Sequence, residues 1–146
     1  MKKFKTYALL LTTVMVLTVF MGCGKQKVTN LTSDQVSFAE PIAEKMLTAL
    51  KDGDFGKFSE DFDDTMKSKF DENAFKQTND LVKTKVGDYQ SKEFTAAQSD
   101  SKYTGVVYNA KYTNEPSGVK ITISFTQKDG KYLVSGFFLD SPNLRK

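Results

Sequence analysis

The chain has 146 residues, 39% of them hydrophobic and 27% charged, with a single cysteine and no histidine. The missing imidazole removes Ser-His-Asp triads, histidine acid–base chemistry and nearly every zinc arrangement together. The net charge of +3 resides in Lys2, Lys3 and Lys5, which leaves 18 basic against 18 acidic side chains from residue 23 onward. A charge-balanced domain offers no electrostatic footprint for nucleic acid.

Three cations in Met1–Lys5 precede an uncharged stretch, Thr6 to Gly22, rich in Leu, Val, Met and Phe. This is the n-region and h-region of a secretory signal. As a helix the stretch spans about 25 Å, short of the roughly 30 Å hydrocarbon core a permanent span must cross. Gly22-Cys23 followed by Gly24-Lys25-Gln26-Lys27 resembles the cleavage site of a bacterial lipoprotein, with Phe20 and Met21 bulkier than the usual pattern. That resemblance implies a diacylglyceryl group on the Cys23 sulfur, cleavage after Gly22, and a protein held at the outer face of the cell membrane. Two acyl chains anchor lastingly where one binds only marginally. The alternative is an uncleaved signal anchor with an idle Cys23. With Cys23 lipidated, the rest of the chain has no thiol for a disulfide, a nucleophile or a metal; no metal and no cofactor are expected.

The domain boundaries expected are 1–22 for the signal, 23–33 for the lipidated cysteine and a flexible tether, and 34–146 for one domain, since 124 residues support one core. The polar stretch Gly24–Ser33 behaves as a coil of about 17–19 Å r.m.s. span, extensible to about 35 Å. Ala39, Ile42, Ala43, Met46, Leu47 and Leu50 then recur at threes and fours and predict an amphipathic helix. Pro41 confines its start, with Ser37–Glu40 as capping box; the alternative is a start at Thr32, with Gln35 in the box and a kink at Pro41. Gly53 reads as a left-handed C-cap. Asp54 opens a short helix carrying Phe55, Phe58 and Phe62, Asp63 or Asp64 a further turn burying Met66 and Phe70, and Asp71 a helix over Glu72–Val86 with a stripe of Phe75, Thr78, Leu81, Val82 and Val86.

After Gly87 the period falls to two. Strands are predicted at about Tyr89–Ala97 and Tyr103–Tyr112, then at Val119–Thr126, where Val119, Ile121, Ile123 and Phe125 alternate with polar residues. Asn114–Gly118 is expected as the loop between the last two. Asp129-Gly130 is a hairpin signal. A two-residue loop pairs Lys128 with Lys131 and sets Phe125 opposite Val134, Ile123 opposite Gly136 and Ile121 opposite Phe138. Helices followed by a four-stranded antiparallel meander make an α+β fold with the helices on one sheet face.

Four segments, Leu50-Lys51-Asp52-Gly53-Asp54-Phe55, Phe62-Asp63-Asp64-Thr65-Met66-Lys67, Val86-Gly87-Asp88-Tyr89 and Ser135-Gly136-Phe137-Phe138, resemble an uncharacterised domain-of-unknown-function family of secreted and lipid-anchored proteins of Gram-positive bacteria. That family is grouped with nuclear-transport-factor-2-like, cystatin-like folds, and the resemblance covers about Val36–Leu139. It implies a curved sheet with a cone between sheet and helices, where enzymes of the superfold place an Asp, a Tyr or a His.

Tyr108 and Tyr112 share a strand face with Val106 and Ala110 and are the candidate lining of such a cone; the alternative is core packing with the hydroxyls at the rim. The acids Asp52, Asp54, Glu60, Asp61, Asp63 and Asp64 fail calcium-loop spacing and read as helix caps and solvated charge. The straight hairpin register groups Leu133, Phe137 and Leu139 on the non-core face, a candidate interface for a homodimer or another envelope protein, unless the N-terminal segment or the C-terminal tail covers it. The function expected is a lipid-anchored, extracytoplasmic, non-enzymatic binding module. The alternative is a small hydrolase, isomerase or lyase using an Asp/Tyr pair in the cone.

Overall fold

In the computed structural model, residues 27–146 are described; the expected signal, with its cleavage site at Gly22 and Cys23, lies outside them. An α+β architecture results. Four helices, α1 (Ala39–Asp52), α2 (Phe55–Phe58), α3 (Asp64–Lys69) and α4 (Glu72–Lys85), pack on a curved, unclosed antiparallel sheet of five strands. These are β1 (Thr29–Leu31), β2 (Tyr89–Ser99), β3 (Thr104–Tyr112), β4 (Glu115–Lys128) and β5 (Lys131–Asp140), adjacent in chain order. No described helix is long and apolar enough to cross a membrane.

The fifth strand comes from the stretch expected to be tether. Thr29, Asn30 and Leu31 pair with Ser99, Gln98 and Ala97, so flexible chain cannot extend to Ser33. Alternation over three residues is too short to read as a strand.

The helix α1 begins at Ala39, which keeps Pro41 in its first turn, and buries Ala39, Ala43, Met46, Leu47 and Leu50. Of the two candidate capping boxes the Thr32–Gln35 pair forms: the Thr32 backbone N–H donates to Gln35 Oε1 at 2.9 Å. It closes a separate 3-10 turn, Asp34–Val36, and Phe38 stands as the uncapped N-cap of α1. Gly53 ends α1 at φ 75°. Asp54, Asp63 and Asp71 accept from the backbone N–H of Lys57, Met66 and Ala74 at 3.0, 2.7 and 2.9 Å, each capping its helix as expected. Leu81 is exposed; Asn79 takes the inward place on α4, and its amide donates to the Leu50 carbonyl.

The core holds the inner sheet residues Val106, Tyr108, Ala110, Tyr112, Val119, Ile121, Ile123, Phe125 and Val134 against the α1 stripe. A cluster of phenylalanines fills the end under α2 and α3: Phe58 lies 5.5, 5.8, 5.0 and 5.2 Å from the rings of Phe62, Phe70, Phe75 and Phe137.

The hairpin register begins as expected, with Lys128 opposite Lys131 and Phe125 opposite Val134, and then slips. Ser124 pairs with Gly136, Ile123 with Phe137 and Ile121 with Leu139, which leaves Ser135 as an extra residue. A bulge exchanges the faces of everything beyond it. Phe137 and Leu139 therefore pack on the core, and Phe138 points to solvent at 62% exposure. The expected surface group of Leu133, Phe137 and Leu139 does not form; Leu133, on the near side of the bulge, keeps its outward face.

Candidate functional site

Two arrangements on the sheet are candidates. The first is a polar cluster where α1 crosses β2. Bulges at Gln90 and Thr95 turn Tyr89, Lys92, Phe94 and Ala97 to the helix side. Lys92, its side chain only 3% exposed, pairs with Glu40 and with Glu44 Oε2 at 3.2 Å, and its ammonium lies 5.2 Å from the centre of the Tyr108 ring. The Tyr89 hydroxyl donates to Glu44 Oε2 at 2.8 Å.

Here are the carboxylates next to tyrosines that the sequence reading did not place. Glu44 lies outside the apolar stripe of α1, and Lys92 is inward only because of the Gln90 bulge. The 40/44 spacing of two acids on one helix face was the available signal.

The chemistry of this cluster is set by who holds the protons. Burial pushes the Tyr89 phenol well above its ordinary value near 10, and its bond to Glu44 pushes further. Burial does the same to Tyr108, reinforced by the charge of Glu40, and to Tyr112 unaided. A phenol that keeps its proton is a donor and not a base. The Lys92 ammonium meanwhile stands between both carboxylates. The arrangement thus fastens α1 to the sheet through charge-assisted hydrogen bonds.

Tyr108 and Tyr112 lie on the inner face with Val106 and Ala110, as expected, and both are fully buried. Their rings make edge contacts with Phe94 and Tyr89, at 6.4 and 5.8 Å. The Tyr112 hydroxyl has no hydrogen-bond partner among the described residues. The phenols are packed as core.

The second arrangement is the outer sheet face. The registers place Ala96, Val107, Thr122 and Phe138 side by side in one row across four strands. The next row is Gln98, Gly105, Ser124 and Gly136. Small side chains in that second row make a trough beside the apolar first row, with Phe138 standing at its end. A shallow, mostly apolar hollow of about 260 Å³ lies over Ala96, Gly105, Val107 and Thr122. A broader depression of about 560 Å³ adjoins it over Glu93, Thr95, Asn109 and Lys120. No helix covers this face among the described residues. What the face presents is shape and apolar surface, with charge at its margin in the row Glu93, Asn109, Lys120 and Asp140. The missed signal is the bulge: without Ser135 as an extra residue, Phe138 reads as core.

The acidic group is spent on structure. Asp54 and Asp63 cap helices, Glu60 and Asp61 both hold Lys45, at 2.9 and 2.6 Å, and Asp64 holds Lys128 at 2.9 Å. Neither a curated protein nor a solved structure matches the chain. A family model described as a protein of unknown function, DUF3887, matches residues 43–137. The match runs from the middle of α1 through the Phe137 contact, and so takes in the whole α2–β4 frame. On that span, this chain belongs to the DUF3887 family of proteins of unknown function.

Proposed function

We propose that this chain is a lipid-anchored, extracytoplasmic binding module without catalytic activity, held at the outer face of the cell membrane through Cys23 and engaging a partner protein with its outer sheet face. The helices-then-meander order is compatible with the nuclear-transport-factor-2-like superfold, in which sheet faces serve as contact surfaces. The observation that carries the reading is the Ala96–Val107–Thr122–Phe138 row. A large aromatic ring displayed to solvent beside a trough of small residues is the pattern of an interface anchor and its surround. The partner is a second copy or another envelope protein.

The enzyme alternative draws on the Tyr89–Glu44 hydrogen bond. Against it, the phenols are held protonated and Lys92 occupies both carboxylates, so the pair has neither a free base nor space for a substrate between them.

The test is photo-crosslinking in native membranes from a benzoylphenylalanine at position 122, with mass spectrometry of the N-terminal peptide. A Phe138-dependent adduct and a diacylglyceryl cysteine support the reading. A free Cys23 thiol removes the anchor, and an adduct unchanged by Phe138→Ser removes the face.

A further inference from the structure

The strand β1 decides which end of the domain meets the membrane. Thr29 pairs with Ser99, so the chain leaves the sheet beside the turn that joins β2 to β3. The Lys128–Lys131 hairpin lies at that same end, because Thr104 pairs with Phe125. Six steps of chain separate Cys23 from Thr29, which reach about 21 Å at full stretch. An eleven-residue strand such as β2 is about 37 Å long. With Cys23 held at a surface, the domain therefore cannot stand on the opposite end of the sheet, at Glu115–Gly118.

The near end has the composition of a membrane-facing surface. Val28 and Tyr103 are 56% and 40% exposed, and with Gly105 and Ser124 they border a hollow of about 250 Å³. The Lys102 ammonium lies 4.9 Å from the centre of the Tyr103 ring. Lys27, Lys102, Lys128 and Lys131 stand there with Asp63, Asp64, Asp100 and Asp129. Three of those acids are engaged: Asp63 caps α3, Asp100 accepts from the backbone N–H groups of Lys102 and Tyr103, both at 2.7 Å, and Asp64 holds Lys128. Among the described residues, Lys27, Lys102 and Lys131 have no carboxylate within ion-pair distance. Tyrosine at the headgroup level with lysines around it is the arrangement that seats in a membrane interface.

We infer that the end built by the Ser99–Tyr103 turn and the Lys128–Lys131 hairpin rests on anionic lipid headgroups, so that the outer sheet face stands upright beside the membrane, open to a partner. The inference rests on membrane attachment near Cys23, and it holds whether that attachment is a lipid or a retained leader.

The test uses the full chain, purified from membranes and reconstituted in phosphatidylglycerol–phosphatidylcholine vesicles. Single cysteines at exposed serines, Ser101→Cys at the near end and Ser117→Cys at the far end, are labelled with a polyethylene glycol maleimide, and the labelled peptides are identified by mass. The Ser101→Cys thiol is expected to react at least about fivefold more slowly than the Ser117→Cys thiol, the factor one lysine confers at an anionic surface. The two rates converge in detergent, in phosphatidylcholine alone, and with Lys102→Glu and Lys131→Glu together. Equal rates in the anionic vesicles overturn the proposal, and a difference that survives both phosphatidylcholine alone and charge reversal overturns the headgroup contact. Label on Cys23 itself refutes lipidation while leaving the ratio of the two serine positions readable.

Discussion

Phe137 meets Phe58 edge-on, ring centroids 5.2 Å apart and planes at 82°, because Ser135 is one residue more than the straight hairpin needs. The contact closes the phenylalanine cluster against the sheet. Its counterpart, Phe138, is the residue that a straight register buries.

The two rings therefore have opposite consequences when removed. Phe137→Ala loses core contacts and is expected to cost about 2–4 kcal/mol in urea unfolding. Phe138→Ala removes a solvated ring and is expected to change stability by about 0.5 kcal/mol or less, while abolishing the crosslink at the outer face. A larger stability loss from Phe138→Ala than from Phe137→Ala would restore the straight register.

Lys92 gives a second measurable link, between α1 and β2. Breaking a buried ion pair costs about 3–5 kcal/mol when both partners are desolvated. Glu40 and Glu44 are more than half exposed, so water takes up most of the charge left behind. Lys92→Met is accordingly expected to cost about 1–2 kcal/mol, and adding Glu44→Gln to it should cost less than Glu44→Gln alone. Strictly additive losses in that cycle would mean that Lys92 and Glu44 do not interact.

Regular periods carried most of this architecture into the sequence, and bulges hid the rest. The α1 stripe, the three Asp caps and the β3–β4 alternation follow from spacings that the backbone geometry enforces over several turns or residues. In β2 the phase changes at Gln90 and again at Thr95, so Lys92 and Phe94 face inward on a strand whose pattern reads as irregular. In β5 one serine reverses Phe137 and Phe138. The tether strand Thr29–Leu31 is held by its neighbour and not by its own pattern. Both candidate surfaces depend on these departures, which is why the helices were more legible than the sites.

The buried phenols make the fold sensitive to alkali. Burial first, and then Glu44 for Tyr89 and Glu40 for Tyr108, raise their folded pKa values above the unfolded value near 10. The native state then holds protons that the unfolded chain has released. Their contribution is fully present below about pH 10 and is lost as pH rises through the folded values. Absorbance titration should show Tyr89, Tyr108 and Tyr112 ionising only together with unfolding, and Tyr112→Phe should lessen the alkaline loss of stability. Reversible ionisation of all the domain's tyrosines in the folded state would contradict the packing described for that face.

At acid pH the sensitive point is the C-terminal latch. Glu115 opens β4 and accepts from the Ser141 hydroxyl and, at 3.2 Å, from the Asn143 backbone N–H, while Asn143 donates to the Asn114 carbonyl at 3.1 Å. These bonds close the chain end over the β3–β4 turn. The Ser141 hydroxyl above all, aided by the Asn143 N–H and Ser117, holds the Glu115 carboxyl below its ordinary value of 4.5. A depressed folded pKa means that the unfolded chain takes up a proton first. The stabilisation is present above about pH 4.5 and fades as pH falls through the folded value. Ser141→Ala is expected to cost about 1 kcal/mol near neutral pH, with faster amide exchange at Asn143. Glu115→Gln should be less stable than the parent at about pH 6 and approach it by about pH 3; a gap that widens on acidification would show that the charge on Glu115 does not hold the latch.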